Sequence, residues 1–317
     1  MMRTLLILLS LTFILSAAAP QKPVAHYSAG GAVVDMIVAD GRIYCATDAS
    51  SVDVIDLKSK RRIKQIKVDQ IKDFMGDLVD AKVYSVDLMG KKVLMLSQAE
   101  QGYRRLYIQE GEKRTLVIDT SSQLSIAKAK FLDENTVLLA LLGDELISYD
   151  LKSKKQNWRV QVSGSKFSNF VLDEKREKVV VADESGDLQI VSTKDGKHLK
   201  TLSGQNLDNV FQVDYKNGVI ATAGQDRRVV IYDLASGSAY YKSAPFLIYS
   251  VGLSPSGRRV AYASDEQNNV TVFDTLTKST IGVFGGNKMT LSVILFLNEK
   301  EFLVATDATT INRYKIK

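Results

Sequence analysis

One phrase recurs along the chain: "VDVIDLKSK" at 52–60, "ELISYDLKSK" at 145–154, "VVIYDLASGS" at 229–238 and "VTVFDTLTKS" at 270–279. Weaker copies are "LYIQEGEK", "LQIVST" and "INRYKIK". Aligned on the Asp position, the seven copies fall at Asp56, Glu110, Asp150, Ser192, Asp233, Asp274 and Lys315, and the last five are spaced 42, 41, 41 and 41 residues apart. A period of about 40–45 residues is that of propeller blades, each made of four antiparallel strands. Drift would not hold that period over four intervals.

Each interval divides into four strands. In 254–280, Ser-Pro-Ser-Gly, Asp-Glu-Gln-Asn-Asn and Thr-Leu-Thr-Lys supply the breakers, and "FLIYSVGL" before them reads as an innermost strand. Runs such as "KVVVAD" are continuously apolar, as expected where both faces of a blade pack on neighbours. The last copy stops at "TTINRYKIK" with no residues for a fourth strand, while "KPVAHYSAG" stands alone ahead of the first full blade. The expected fold is therefore an all-β, seven-bladed β-propeller with four antiparallel strands per blade. The N-terminal strand closes the ring within the last blade and removes its open edge.

The first residues, "MMRTLLILLSLTFILSAAAP", read as a signal peptide over 1–19, ahead of a single propeller domain over 20–317. Arg3 forms the positive start, Leu5–Leu15 the apolar segment, and small residues the cleavage site. That segment is short for a bilayer span, which needs about 20 residues. No Cys follows it, so a lipid anchor is not expected. Cys45 is the one Cys and cannot pair within the chain; in "RIYCAT" it reads as a buried hydrophobe. A large exported domain without disulfides fits a bacterial periplasm.

Period, strand pattern and the endings "VID", "SYD", "IYD" and "VFD" resemble the WD-repeat propellers over essentially the whole mature length. The family's Trp is replaced by Ile, Tyr, Phe or Val, and its Gly-His pair is missing; "LSGQN" at 202–206 comes nearest, with Gln205 where His would stand. The architecture therefore carries over, whereas the family's Asp-His-Ser/Thr-Trp hydrogen-bond network is not expected. In size, export and Trp content the chain also resembles the NapL-type accessory propellers of the periplasmic nitrate reductase cluster. That resemblance implies a periplasmic redox enzyme subunit as partner.

Little in the sequence points to catalysis. His26 falls in the closing strand and His198 in an outermost strand, without companions at ligand spacing, so neither a metal site nor a Ser-His-Asp triad is expected. Gly30-Gly31 and Gly285-Gly286 lack the context of a phosphate loop. Quinone-cofactor propellers depend on recurrent Trp, and Trp158 stands alone. No catalytic, cofactor or metal residue is assigned.

Asp48, Asp144, Asp183, Asp226, Asp265 and Asp307 recur in the turns between second and third strands. They read as local caps bonding backbone N–H groups two residues on; the alternative is an axial cation site, as in propeller lactonases and lyases. The opposite turns carry Lys58, Lys60, Arg61, Arg62, Lys91, Lys92, Lys152, Lys154, Lys155, Lys175, Arg176, Lys178, Arg258 and Arg259. With 42 basic and 36 acidic residues, one face is expected to be positive. For an exported chain this points to acidic protein or anionic lipid, or simply to solubility, and not to nucleic acid.

The departure from the period marks the candidate binding face. Asp56 to Glu110 spans 54 residues, and the surplus lies at "VDQIKDFMGDLVDAK". Ile71, Phe74, Met75 and Leu78 fall at i, i+3, i+4 and i+7, which predicts a short helix capped by Asp69. The lengthened "SQAEQGYRR" at 97–105 brings Tyr103, Arg104 and Arg105 to the same face. Insertions in repeat proteins sit on the binding face, so Phe74, Met75, Leu78, Tyr103, Arg104 and Arg105 are the predicted partner-binding set. The stripe could equally pack on the propeller's own rim. The reading is a monomeric, non-catalytic periplasmic scaffold for a protein partner, with no integral membrane span. A redox-enzyme accessory is its specific form; the alternatives are an outer-membrane assembly accessory and a metal-dependent lactonase or lyase.

Overall fold

Residues 19–317 are described by the computed structural model of the chain. The expected leader, apart from Ala19, lies outside the described residues. Seven four-stranded antiparallel sheets follow one another. Blades 1 to 6 start at Val33, Val83, Ile126, Phe167, Val210 and Val251, and each reads inner to outer in chain order. Blade 7 uses Leu291–Asn298, Glu301–Thr306 and Thr310–Lys315, and its outer strand is Ala25–Ser28. Ala25 pairs with Arg313 and Ser28 with Thr310, so the chain's two ends share one sheet. Ahead of that strand, Gln21 also bridges to Phe284 in blade 6.

The seven aligned positions, Asp56 to Lys315, are each the last residue of a third strand. The repeated Asp has a local cause. Asp56, Asp150, Asp233 and Asp274 turn Oδ1 onto backbone N–H groups two or three residues ahead and so close the turn into the fourth strand. Those bonds hold the carboxyls of Asp56, Asp150 and Asp233 below the usual carboxylate range.

The core is a torus. Among the described residues, seven apolar clusters each fill one gap between adjacent blades. Second strands are buried on both faces for this reason, as in Lys178–Asp183, where only Lys178 is exposed. Cys45 belongs to the gap between blades 7 and 1, and burial pushes its thiol far upward. Blade 6 approaches blade 7 so closely that a Cβ on Gly252 would stand 2.6 Å from the Ile294 carbonyl oxygen.

The axis is polar instead. In six innermost strands the pairing slips by one residue, at Val34, Tyr84, Ala127, Ser168, Phe211 and Ser292. A bulge bends its strand and re-aims the side chain that follows. The residues that follow are Asp35, Ser85, Lys128, Asn169, Gln212 and Val293, and all but Ser85 line the central cavity.

Three expectations are corrected. The insertion is not a helix: Ile71–Lys72 pairs with Leu78–Val79 as a small hairpin. Asp73 accepts at Oδ1 from the N–H groups of Met75 (2.8 Å) and Asp77 (3.0 Å), and Gly76 takes φ +92. An Asx turn with a left-handed glycine outcompetes one short helical turn that could bury only Ile71. Asp69 caps nothing; it accepts from the Tyr107 hydroxyl (2.9 Å) and from Arg114 (2.7 Å). Third, a counterpart of the WD network exists in blade 5. Asn206, not Gln205, is buried there, accepting from Thr222 Oγ1 (2.7 Å) and donating to Tyr232 Oη (3.2 Å).

Candidate functional site

The hairpin tip carries the most exposed apolar group of the ring. Phe74 is 96% exposed, Met75 75% and Leu78 66%, while Ile71 is buried at the base. The base is tied down on both sides. Asp80 accepts from Ser50 of blade 1 (2.9 Å) and from Gln70 (3.1 Å), and Arg114 of blade 2 donates to the Lys67 carbonyl (2.6 Å). The stripe therefore does not pack on the rim. Leu142, Leu207 and Met289 are exposed in other connections at this end of the ring.

The neighbouring loop behaves differently from expectation. Tyr103 is half-buried, and Arg104 is only 9% exposed. Its guanidinium lies 4.1 Å from the Tyr84 ring centre and donates to the carbonyls of Gly102 (2.7 Å) and Tyr103 (2.9 Å). Arg105 pairs with Glu100 at 2.5 Å. Burial raises the Glu100 carboxyl, yet its own backbone N–H, Arg105 and the Lys72 backbone N–H hold it below its usual range. The loop thus abuts the hairpin at Lys72. Of the six predicted residues, Phe74, Met75 and Leu78 stand free, and the two arginines are engaged in holding the loop.

The acidic turns are not one repeated site. Asp183, Asp226 and Asp265 do cap their own turns, accepting from the N–H groups of Ser185 (2.7 Å), Arg228 (3.0 Å) and Gln267 (3.0 Å). Asp48 instead accepts from Ala32 N–H (2.8 Å), and Asp307 is exposed. Asp144 sits in the left-handed region (φ 61), buried, with both carboxylate oxygens unpartnered. Burial pushes it up to about 6; the Ser163 hydroxyl moderates this but donates to Asp183, whose charge adds to the rise. Among the described residues no three His, Cys, Asp or Glu side chains gather in metal-ligand geometry.

Part of the basic face is internal as well. Arg176 turns inward to Asp87 (2.7 Å) and the Phe131 carbonyl, and Arg259 donates to the Glu299 carbonyl of the next blade. Lys92 likewise reaches the Glu134 carbonyl at 2.8 Å. Lys58, Lys60, Arg61, Lys91, Lys152, Lys154, Lys155 and Lys175 remain exposed there.

Sequence reasoning weighed an axial cation site on the turn aspartates but missed the charged residues that line the axial cavity, about 560 Å³ in volume. Its carboxylates stitch blade 1 to 2, blade 2 to 3 and blade 5 to 6. Asp35 accepts from Val86 N–H (3.0 Å), Asp87 from Phe131 N–H (2.8 Å) and Asp214 from Leu253 N–H (2.7 Å). Lys130 pairs with Asp35 at 2.7 Å, and burial of that carboxylate is outweighed by Lys130, Lys128 and Val86, which keep it below its usual range. The available signal was alternation of charge with apolar residues in innermost strands, as in "IAKAKF" at 126–131.

A family model described as outer membrane protein assembly factor BamB matches residues 101–281, more than half of the chain. No curated protein matches. Among solved structures, the β-propeller domain of Cps50 (Swd1) from Myceliophteria thermophila is similar, with a TM-score of 0.74 at 11% identity. The match covers 94% of this chain and 100% of that one. At that identity the likeness is one of fold, a β-propeller.

Proposed function

The chain belongs to the family of the outer membrane protein assembly factor BamB, and from that premise we propose that it is an exported, periplasmic, non-catalytic scaffold serving outer-membrane protein assembly. One observation carries the reading: Phe74, Met75 and Leu78 are held out on a hairpin whose base is fastened to blades 1 and 2. Aromatic and Met side chains are enriched at the centres of protein interfaces, and a pre-ordered loop loses less entropy on docking. The occupant is an apolar cleft on a protein of the assembly machinery. Tyr103, at the rim of the same loop pair, is a secondary contact.

A nitrate reductase accessory would use the same surface, but no residue favours it over the family's role. No residue favours the lactonase or lyase alternative: among the described residues no three His, Cys, Asp or Glu side chains gather in metal-ligand geometry, and Asp35, Asp87 and Asp214 each accept from a backbone N–H group of the next blade. No helix among the described residues is long and apolar enough to cross a membrane.

The test is quantitative capture of periplasmic and outer-membrane proteins by the full mature chain. Phe74→Ala should weaken the partner about 30-fold, equivalent to roughly 2 kcal/mol for a central anchor. Mass spectrometry should identify an outer-membrane assembly component among the proteins lost. Equal recovery by both forms would remove the hairpin as the contact; loss of a redox-enzyme subunit instead would favour the accessory reading.

A further inference from the structure

The cations of the axial cavity are unequally matched. Lys130 has Asp35 at 2.7 Å, Arg176 has Asp87 at 2.7 Å, and Lys216 has Asp214 at 3.7 Å. Lys128 is the exception among the described residues. From the third position of its strand in blade 3 it crosses to blade 4, where its nitrogen meets two neutral acceptors, Asn169 Oδ1 (2.6 Å) and the Phe170 carbonyl (2.8 Å). The Phe170 ring lies 5.2 Å away on the same blade.

An ammonium group has three N–H donors, so one remains beyond these two acceptors. Lys128 is half-buried on the cavity wall, and a cation partly withdrawn from water with no opposite charge in contact favours an anionic partner or loses its proton more readily. Here burial lowers the Lys128 amine to about 8, Lys130 adds to the fall, and the fields of Asp35, Asp214 and Asp87 only partly offset it. Those three carboxylates are already held by other cations and by backbone N–H groups. The lining also carries Asp173 and Glu174, which accept from the backbone N–H groups of Glu177 and Asn217, so what Lys128 lacks is an anion in contact, and one of single charge. Two charges would be repelled by Asp35 and Asp214 nearby.

The remaining lining favours an anion with an apolar part. Ile37, Val171, Val293 and Leu295 are half-buried and line the cavity between the charged residues. A volume of about 560 Å³ falls within the usual range of ligand pockets, about 300–1,000 Å³. We propose that the axial cavity binds a small monocarboxylate, its anion on the Lys128 ammonium and its apolar tail against these residues. The site is separate from the hairpin surface and would add a ligand to a ring whose outer loops engage protein.

Sodium butyrate is the probe, with butyramide and sodium chloride at equal concentration as controls. Reductive methylation of the folded wild-type chain with formaldehyde and an amine–borane, followed by peptide mass spectrometry, reads the labelling rate of Lys128 against exposed Lys175. At about ten times its dissociation constant, butyrate should slow labelling of Lys128 about tenfold and leave Lys175 unchanged, because protection scales as 1 + [L]/Kd. Neither control should protect. Lys128→Met, which replaces a lone charge with an apolar side chain of similar length, should stay folded and lose the butyrate-induced rise in Tm. The proposal is overturned by equal labelling with and without butyrate, by equal protection from butyramide or chloride, or by unchanged butyrate stabilisation of Lys128→Met.

Discussion

The hairpin and the axial cavity reverse the usual placement of side chains. At the hairpin, Phe74 and Met75 stand in solvent while their backbone is fastened by Asp73, Asp80 and Arg114. At the axis, Asp35 and Asp87 are drawn in among the innermost strands and bond to the next blade, while Lys130 reaches back to the Val86 carbonyl of the blade before it. The difference follows from the toroidal core. Apolar burial is completed in the gaps between blades, so neither region is needed for the main hydrophobic term. The innermost strands must still satisfy backbone groups where blades converge, and charged side chains do so. The hairpin answers to no such demand, so its apolar tip is free for a partner.

This contrast predicts that axial changes act on stability and hairpin changes on binding. The largest effect is expected from Asp87→Ala. It leaves the Phe131 N–H without its acceptor and the Arg176 guanidinium with the Phe131 carbonyl alone, and breaking a buried pair on one side costs about 3–5 kcal/mol. Urea unfolding of the variant measures it. A loss under 1 kcal/mol would mean that the stitches only decorate the ring.

Asp144, at the hairpin's end of the ring but buried, tests whether position or burial decides. Its folded carboxyl is pushed up to about 6, above the ordinary 3.8 of an aspartate. A raised carboxyl means that the folded state binds the extra proton. The stability it brings is present below about pH 4 and lost as pH rises through about 6. Asp144→Asn retains a residue suited to the left-handed backbone. It should gain about 2–3 kcal/mol at pH 7 and flatten the pH dependence between those limits. An unchanged pH profile would show that Asp144 finds a partner in solution.

The smallest stability effect belongs to Phe74→Ser, within about 0.5 kcal/mol, as for surface substitutions generally. Thermal melting alongside the capture assay separates the two roles. A fall of several degrees would place Phe74 in the fold and end the contrast.

Periodicity carried nearly all of the architecture. The spacing of Asp150, Ser192, Asp233, Asp274 and Lys315 fixed the period, the copies at Asp56 and Glu110 brought the count to seven blades, and the stranded "KPVAHYSAG" gave closure. His26 and His198 lie in the closing and outer strands as expected. Local chemistry was legible where it is local, as in the Asp turns of Asp183, Asp226 and Asp265. The site was legible by half. The length of the insertion located the exposed apolar tip. Its helical spacing misled, because an Asx turn at Asp73 and a positive φ at Gly76 compete with a helix that has nothing to pack against. Arg104 read as free because the Tyr84 ring that covers it lies in another strand.

By itself, then, the sequence determined the repeat, the number of blades, the way the ring closes and the position of the surplus segment. All of these depend on order along the chain and on bonds within a few residues. Only the tertiary structure decided which charges face one another. Lys130 meets Asp35 across 95 residues and Arg176 meets Asp87 across 89, distances that no local pattern encodes. The ring's curvature brings those strands to one axis, and a bulge at the second residue aims Asp35, Lys128 and their counterparts into it. Whether a half-buried cation there has a partner is a property of seven strands converging, and it exists only once the ring is closed.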